Sequence, residues 1–374
     1  MPNNVWVAIT LLILPSLLTG CGQSQPETPA VPAPGTPAMA QQLSHGIYPG
    51  GVTGEEDDCT ESDVAAYEQH AGHHAAWVYF SHNWYRDRAF PRATVQWLRA
   101  RGSVPYIRLM LRSDADEDHA EPLFTLARII AGNFDADLQA WAIAARDSGG
   151  PLLVEFGTEM NGGWFPWNGR WQGGGTTGGY GDPHLPDGPE QFRDAYRHII
   201  ACCRKAGARN IYWVFHVNAE DDPAADWNRF EQYYPGEAWI DLLGVSVYGA
   251  QTPQDEACPP FAPRFAAAYA RLTALAPALP VLLAEFGTAQ RQPGEQEAWA
   301  AAALAEITSG RYPRLAGFAW WNERWENDDD PAHDTTMRLQ DNPALARVFR
   351  QHLQQPAVVD CLPTGLTPDG APRP

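Results

Sequence analysis

Two carboxylates at the ends of apolar, strand-like runs are the residues of this chain best placed to do chemistry. PLLVEFG (151–157) leads into TEMNGGWFPWNG, which sets Glu159 at a strand end with Trp164, Phe165 and Trp167 close behind. PVLLAEFG (280–287) carries the second carboxylate, Glu285. Paired carboxyl groups beside flat indole rings suit cleavage of a glycosidic bond. One group gives a proton, the other acts as nucleophile, and the rings stack on the sugars. Such chemistry needs no cofactor, because carboxyl groups carry it. No CxxC or His-spaced cluster points to zinc. Asp328, Asp329 and Asp330 match no EF-hand spacing and read as a solvated acidic loop.

These carboxylates need a rigid frame. Candidate strands are 45–49, 75–80, 104–110, 151–157, 210–217, 240–248, 280–287 and 315–321, with helix-like stretches such as 122–132, 135–149, 189–207, 265–276 and 294–310 between them. Strands alternating with helices imply a parallel sheet, and eight such units fit a single (β/α)8 barrel of the α/β class. The alternative, an open doubly wound sheet, lacks support because no Gly-rich phosphate turn follows the first strand. In a barrel the site lies at the C-terminal strand ends, where Glu159, Asn218, Tyr248, Glu285 and Trp320 fall. The Gly-rich stretch 168–188 reads as a long irregular loop bordering the cleft, and a second loop, 322–336, follows the eighth strand.

Charge and address narrow the function. Lys and Arg number 26 against 45 Asp and Glu, a formal net charge of −19, which excludes a phosphate-backbone partner such as nucleic acid. Residues 1–21 read as a lipoprotein-type export signal: an apolar run (5–18) leads into LTGC, whose Cys21 is the expected lipidation site and membrane anchor. An ordinary secretory signal is the alternative, since MPNN carries no basic residue. Residues 22–44 form a Pro/Ala-rich linker, 45–355 the barrel, and 356–374 a tail expected to be disordered. Of the remaining cysteines, Cys202 and Cys203 are adjacent in a helical stretch and do not suit each other. Cys59, Cys258 and Cys361 are the better disulfide candidates. The chain is expected to be a monomer acting on a polysaccharide.

TEMNGGWFPW, AEFG, VFHVN and WWN together resemble glycoside hydrolase family 26, a group of retaining enzymes on (β/α)8 barrels, mostly endo-β-1,4-mannanases. The resemblance implies Glu159 as acid/base and Glu285 as nucleophile. It implies Asn161, Trp164, Trp167, Asn218 and Trp320 as substrate-site residues, with Trp320 flooring the central sugar site and Tyr248 bonded to the nucleophile. Two positions depart from the family pattern: Thr158 stands where a His is usual, and Glu155 where an Arg is usual. Residues 155, 157 and 159 share one strand face, so Glu155 is expected inside the barrel, paired with Arg108 on the neighbouring strand. An ionised Glu155 would raise the pKa of Glu159. His216 reads as a satisfied core histidine or a replacement for a missing polar contact. The expected activity is that of an exported β-glycanase, most simply on β-mannan. A β-glucanase or β-xylanase, an exopolysaccharide-trimming hydrolase and an inactive glycan-binding lipoprotein are the alternatives.

Overall fold

A computed structural model describes residues 41–50 and 59–362. Eight parallel strands run in chain order: β1 (Leu43–Tyr48), β2 (Trp77–Asn83), β3 (Val104–Met110), β4 (Leu152–Phe156), β5 (Ile211–Asn218), β6 (Leu242–Tyr248), β7 (Val281–Gly287) and β8 (Leu315–Trp321). Each pairs with the next, and β8 closes on β1 from Ser44↔Gly317 to Tyr48↔Trp321. The result is the expected (β/α)8 barrel.

Apolar residues occupy both faces of these strands because both faces are covered, by the barrel lumen and by the helix layer. The helices are α1 (Glu61–Ala71), α2 (Arg92–Ala100), α3 (Leu126–Ile130), α4 (Asp135–Asp147), α5 (Asp187–Lys205), α6 (Phe261–Leu275), α7 (Glu295–Ile307) and α8 (Pro343–Leu353). The stretch 122–132, read as one helix, yields only the five-residue α3, capped by Thr125 and halted before Gly132, which takes a positive φ. Helix α6 starts four residues before the expected 265. Its Pro263 falls in the first turn, where a missing N–H costs nothing.

Two boundaries move. Leu43 and Ser44, assigned to the linker, open β1. Val358 and Val359, assigned to the tail, form a short strand parallel to Leu43 and Ser44, and Leu362 is buried. The backbone groups at the edge of β1 are satisfied there, which ties the start of that tail to the fold. The five cysteines from Cys59 onward are all free thiols, including the three disulfide candidates Cys59, Cys258 and Cys361. Cys21, the rest of the signal and linker up to residue 40, and residues 363–374 lie outside the described residues. Among the described residues, no helix is long and apolar enough to cross a membrane.

Candidate active site

Strand alternation builds the site. Residues two apart on a strand point the same way. Tyr48, Tyr79, Tyr106, Arg108, Glu155, His216, Ser246, Tyr248, Glu285 and Trp321 all meet in ring contacts, hydrogen bonds or charge interactions with one another inside the barrel.

Glu159 sits just beyond β4. The chain leaves the strand through Gly157, at φ 64°, where a Cβ would stand 2.3 Å from the Phe192 ring. Glu159 itself holds φ 48°, a left-handed conformation rare for a residue with a side chain. Its N–H donates to the His216 carbonyl (3.0 Å) and its carbonyl accepts from Gly162 (2.7 Å). The Trp164 indole lies over Gly162, where a Cβ would stand 2.2 Å from the ring, and donates to Glu159 Oε2 at 3.2 Å. Burial first, and the Glu285 charge second, push the Glu159 carboxyl up to about 7; His216, a hydrogen bond from Ser246 and Arg108 pull the other way.

Glu285 is held from two sides. Tyr248 Oη donates to its Oε2 at 2.8 Å and Tyr79 Oη to its Oε1 at 3.1 Å. The same Tyr79 hydroxyl also lies against Glu155 Oε1, and Tyr106 donates to Glu155 Oε2.

Glu155 corrects an expectation. Arg108 sits opposite it in the β3–β4 register, yet the partners of Glu155 are His216, Tyr79 and Tyr106. The Arg108 guanidinium lies over the Phe165 ring (5.2 Å) and the Trp321 ring (5.6 Å) and reaches Ser81 Oγ at 3.4 Å. The physical reason is reach. The planar guanidinium finds ring faces higher in the barrel, while the shorter imidazole from β5 fits beside Glu155.

His216 Nδ1 lies 2.9 Å from Glu155 Oε2 and 3.0 Å from Thr158 Oγ1; its Nε2 lies 2.7 Å from Ser246 Oγ. Burial lowers the imidazole's affinity for a proton, but the Glu155 charge and hydrogen bond, with Glu285 and Glu159 beyond, raise it above the ordinary value. Burial would likewise raise Glu155; His216 and the two tyrosine hydroxyls outweigh that and hold it below the ordinary carboxylate value. Each group thus favours the charged form of the other, and the pair is fully enclosed. When protonated, the ring donates from both nitrogens, to Glu155 and to Ser246, and Ser246 passes a hydrogen bond on to Glu159.

The remaining expected residues divide. Asn218 is part-exposed at the end of β5. Asn161 is fully buried and acts on backbone: its Nδ2 donates to the carbonyls of Asn218 and Glu220, and its Oδ1 accepts from the Asn218 N–H. It shapes the loop after β5 and offers no free atom to a sugar. Trp167 is also buried, stacked on Phe165 (4.7 Å) with its Nε1 bonded to the Thr158 carbonyl, so it packs beneath the loop. Trp320 faces outward. It packs between Phe286 (5.1 Å) and Phe349 (5.0 Å) and donates to the Met337 carbonyl. Trp321 takes the inner position, stacked on Tyr48 at 3.6 Å and 8° and edge-on to Tyr248. With two tryptophans in succession, a shift of one residue exchanges lumen for helix layer. Tyr79, Tyr106, Ser246 and Trp321 were missed as site residues. Ser246 stands two positions before Tyr248 on the same strand, a period-2 signal open to reading.

The sequence model of glycosyl hydrolase family 26 matches residues 127–286, from α3 through β7. Endoglucanase H of Acetivibrio thermocellus is 24% identical over 294 residues, which are 78% of this chain and 29% of that protein; the chain thus spans under a third of its relative. In structure the chain resembles a Cellulomonas fimi endo-β-1,4-mannanase double mutant (TM-score 0.59, 18% identity, 88% of this chain and 74% of that one). It also resembles a Bacillus subtilis mannanase (TM-score 0.56, 16% identity, 90% and 91%). At these identities the structural likeness speaks for the barrel alone.

Proposed function

We propose that the chain, which matches glycosyl hydrolase family 26 over residues 127–286, is a glycoside hydrolase of that family: a retaining, endo-acting β-glycanase whose substrate is β-1,4-mannan. The observation that carries the mechanism is the unequal pair: a Glu159 carboxyl raised to about 7 beside a Glu285 gripped by two tyrosine hydroxyls. One is equipped to hold a proton near neutrality, the other to stay oriented for attack.

In this reading Glu285 attacks the anomeric carbon and forms the glycosyl–enzyme bond. The glycosidic bond breaks, and Glu159 gives its proton to the departing oxygen. Esterification removes the Glu285 charge, which is the second cause of the raised Glu159 value. The affinity of Glu159 for a proton then falls, and it becomes the base that takes one from the incoming water. Water's oxygen bonds the anomeric carbon and Glu285 leaves as carboxylate. His216 and Ser246 act throughout as positioning residues, stabilising the ionised form of Glu159. Trp164 offers a ring face for the sugars, Trp321 lines the lumen wall beneath them, and Asn218 gives a polar contact at the rim.

The mannan assignment is supported by the mannanase names of the structural neighbours. A β-glucan is the second reading, favoured by the endoglucanase name of the sequence relative and by Glu155 and Thr158 standing where the family pattern has other residues. Export, with a lipid anchor at Cys21, completes the proposal and rests on the LTGC motif alone. The test is reducing-sugar release by the full-length chain on mannan, galactomannan, glucomannan, mixed-linkage glucan and xylans, with Glu285→Ala in parallel. Release from mannans that vanishes in the variant supports the reading. Release from glucan or xylan alone overturns the substrate. No release from any polymer, with glycan binding retained, overturns the enzyme reading in favour of a binding protein.

A further inference from the structure

A second cluster of reactive side chains lies outside the barrel, between the helices that flank β4. Asp135 is the first residue of α4. His198 and Cys202 are four apart on α5 and so share one face of that helix. Their polar atoms converge. His198 Nε2 is 2.6 Å from Asp135 Oδ1, Cys202 Sγ is 3.4 Å from the same Oδ1, and Cys202 Sγ is 3.5 Å from the same Nε2. We propose that Asp135, His198 and Cys202 form a binding site for a single divalent transition-metal ion, zinc above others, that clamps α4 to α5.

Three observations carry this. First, the donor set is one carboxylate, one imidazole and one thiol, the mixture that a borderline-soft ion selects over calcium or magnesium. Secondly, the triangle has nearly the right size. Zinc bonds of roughly 2.0–2.3 Å set ligand atoms about 3.3–3.5 Å apart at tetrahedral angles. Both edges to sulfur already lie at that spacing, and the Asp–His edge must open by only about 0.7 Å. Thirdly, Asp135 and His198 are part-exposed while Cys202 is buried beneath them. An ion can therefore enter from solvent and keep water as its fourth ligand.

The geometry also excludes the other use of these three residue types. A Cys–His–Asp nucleophile needs the two ring nitrogens to serve different partners. Here one nitrogen, Nε2, faces both the carboxylate and the sulfur. The thiol moreover is pushed up to about 12, first by burial and then by the Asp135 charge. A bound cation reverses that effect, because a coordinating thiol is deprotonated by the metal. Binding must then release a proton and weaken as pH falls. The titratable and charged groups facing the thiol are Asp135 from α4 and, from its own helix, His198 and Lys205. The sequence held a readable signal for the site in His198-x3-Cys202, and only the helix pairing brings Asp135 to it.

The test titrates the full-length chain with Co²⁺ under reducing conditions, followed by Zn²⁺ competition and thermal melting. The expected result is one equivalent of Co²⁺ giving a thiolate charge-transfer band, displaced by Zn²⁺, with a raised melting midpoint. In Cys202→Ser the band is lost; in His198→Gln the affinity falls by more than about 100-fold; and in both, glycanase activity without metal is unchanged. A band that survives Cys202→Ser but disappears with Cys59→Ser or Cys258→Ser overturns the site. So does the absence of any thiolate band, which would leave Asp135–His198 as an ion pair only.

Discussion

The chain contains two acid–histidine pairs of almost equal length in opposite surroundings. Glu155–His216 (2.9 Å) lies inside the barrel with neither side chain exposed; Asp135–His198 (2.6 Å) lies in the helix layer with side chains 38% and 26% exposed. Inside, each lone pair and proton must be met by protein, and Tyr79, Tyr106, Thr158 and Ser246 meet them. Outside, water does that work and leaves coordination positions open. Distance alone therefore says little about an ion pair: enclosure makes one a fixed part of the catalytic frame, and exposure leaves the other free to take a cation.

Substitutions in the two surroundings should differ in size and kind. The largest effect belongs to the centre that the inner pair serves: Glu285→Ala should lower kcat/KM by at least about 10³-fold with little change in the melting midpoint. Steady-state kinetics on the responding polymer checks this.

Next, removing one member of the inner pair strands a buried charge. His216→Asn and Glu155→Gln should each destabilise the fold by about 3–5 kcal/mol, whereas Asp135→Asn should cost about 0–1 kcal/mol without metal. Urea unfolding of the three variants decides; equal losses would erase the distinction. Trp320→Ala belongs with the inner class, at about 3–5 kcal/mol, because its loss opens a cavity among Phe286, Trp299 and Phe349. Trp321→Ala should instead raise KM.

The pH dependence is a finer probe. Glu159 must be protonated to act as the acid, so kcat/KM should fall as pH rises through about 7. His216 and Ser246 both favour the ionised form of Glu159, so Ser246→Ala should move that limb to higher pH. An unmoved limb with reduced kcat would make Ser246 a packing residue only.

Stability carries the signs of the inner pair. Glu155 is depressed in the fold, so its contribution is present above the ordinary carboxylate value and lost as pH falls through its folded one. His216 is raised, so its contribution is full below the ordinary 6.5 and lost as pH rises through its folded value. The smallest effect is therefore a mild stability maximum in weakly acidic solution, absent from the Glu155→Gln, His216→Asn double variant.

Sequence alone exposed the barrel because strand and helix periods alternate without interruption, and it exposed Glu159 and Glu285 because both end apolar runs. It misplaced Trp320, since WW gives no phase, and Trp167, since a ring in a Gly-rich loop can turn either way. Glu155 was legible as a buried charge, but its partner was not. Register shows which residues stand opposite across strands, while the reach of the His216 imidazole against the Arg108 guanidinium depends on side-chain conformation. The helix-layer cluster was only partly legible for a similar reason: His198 and Cys202 share a helical spacing, but Asp135 arrives from another helix.

The shared hydroxyl of Tyr79 has a consequence for how this enzyme can change over generations. Glu155 is tied through Tyr79 to Glu285, and through His216 and Ser246 towards Glu159. Substitutions at these positions are thus mutually conditional and their effects do not add. A library that varies one position at a time would score each as intolerant, although joint exchanges among Tyr79, Glu155 and His216 remain open. A lineage would cross from one such arrangement to another in coordinated steps, leaving correlated residues on β2, β4 and β5.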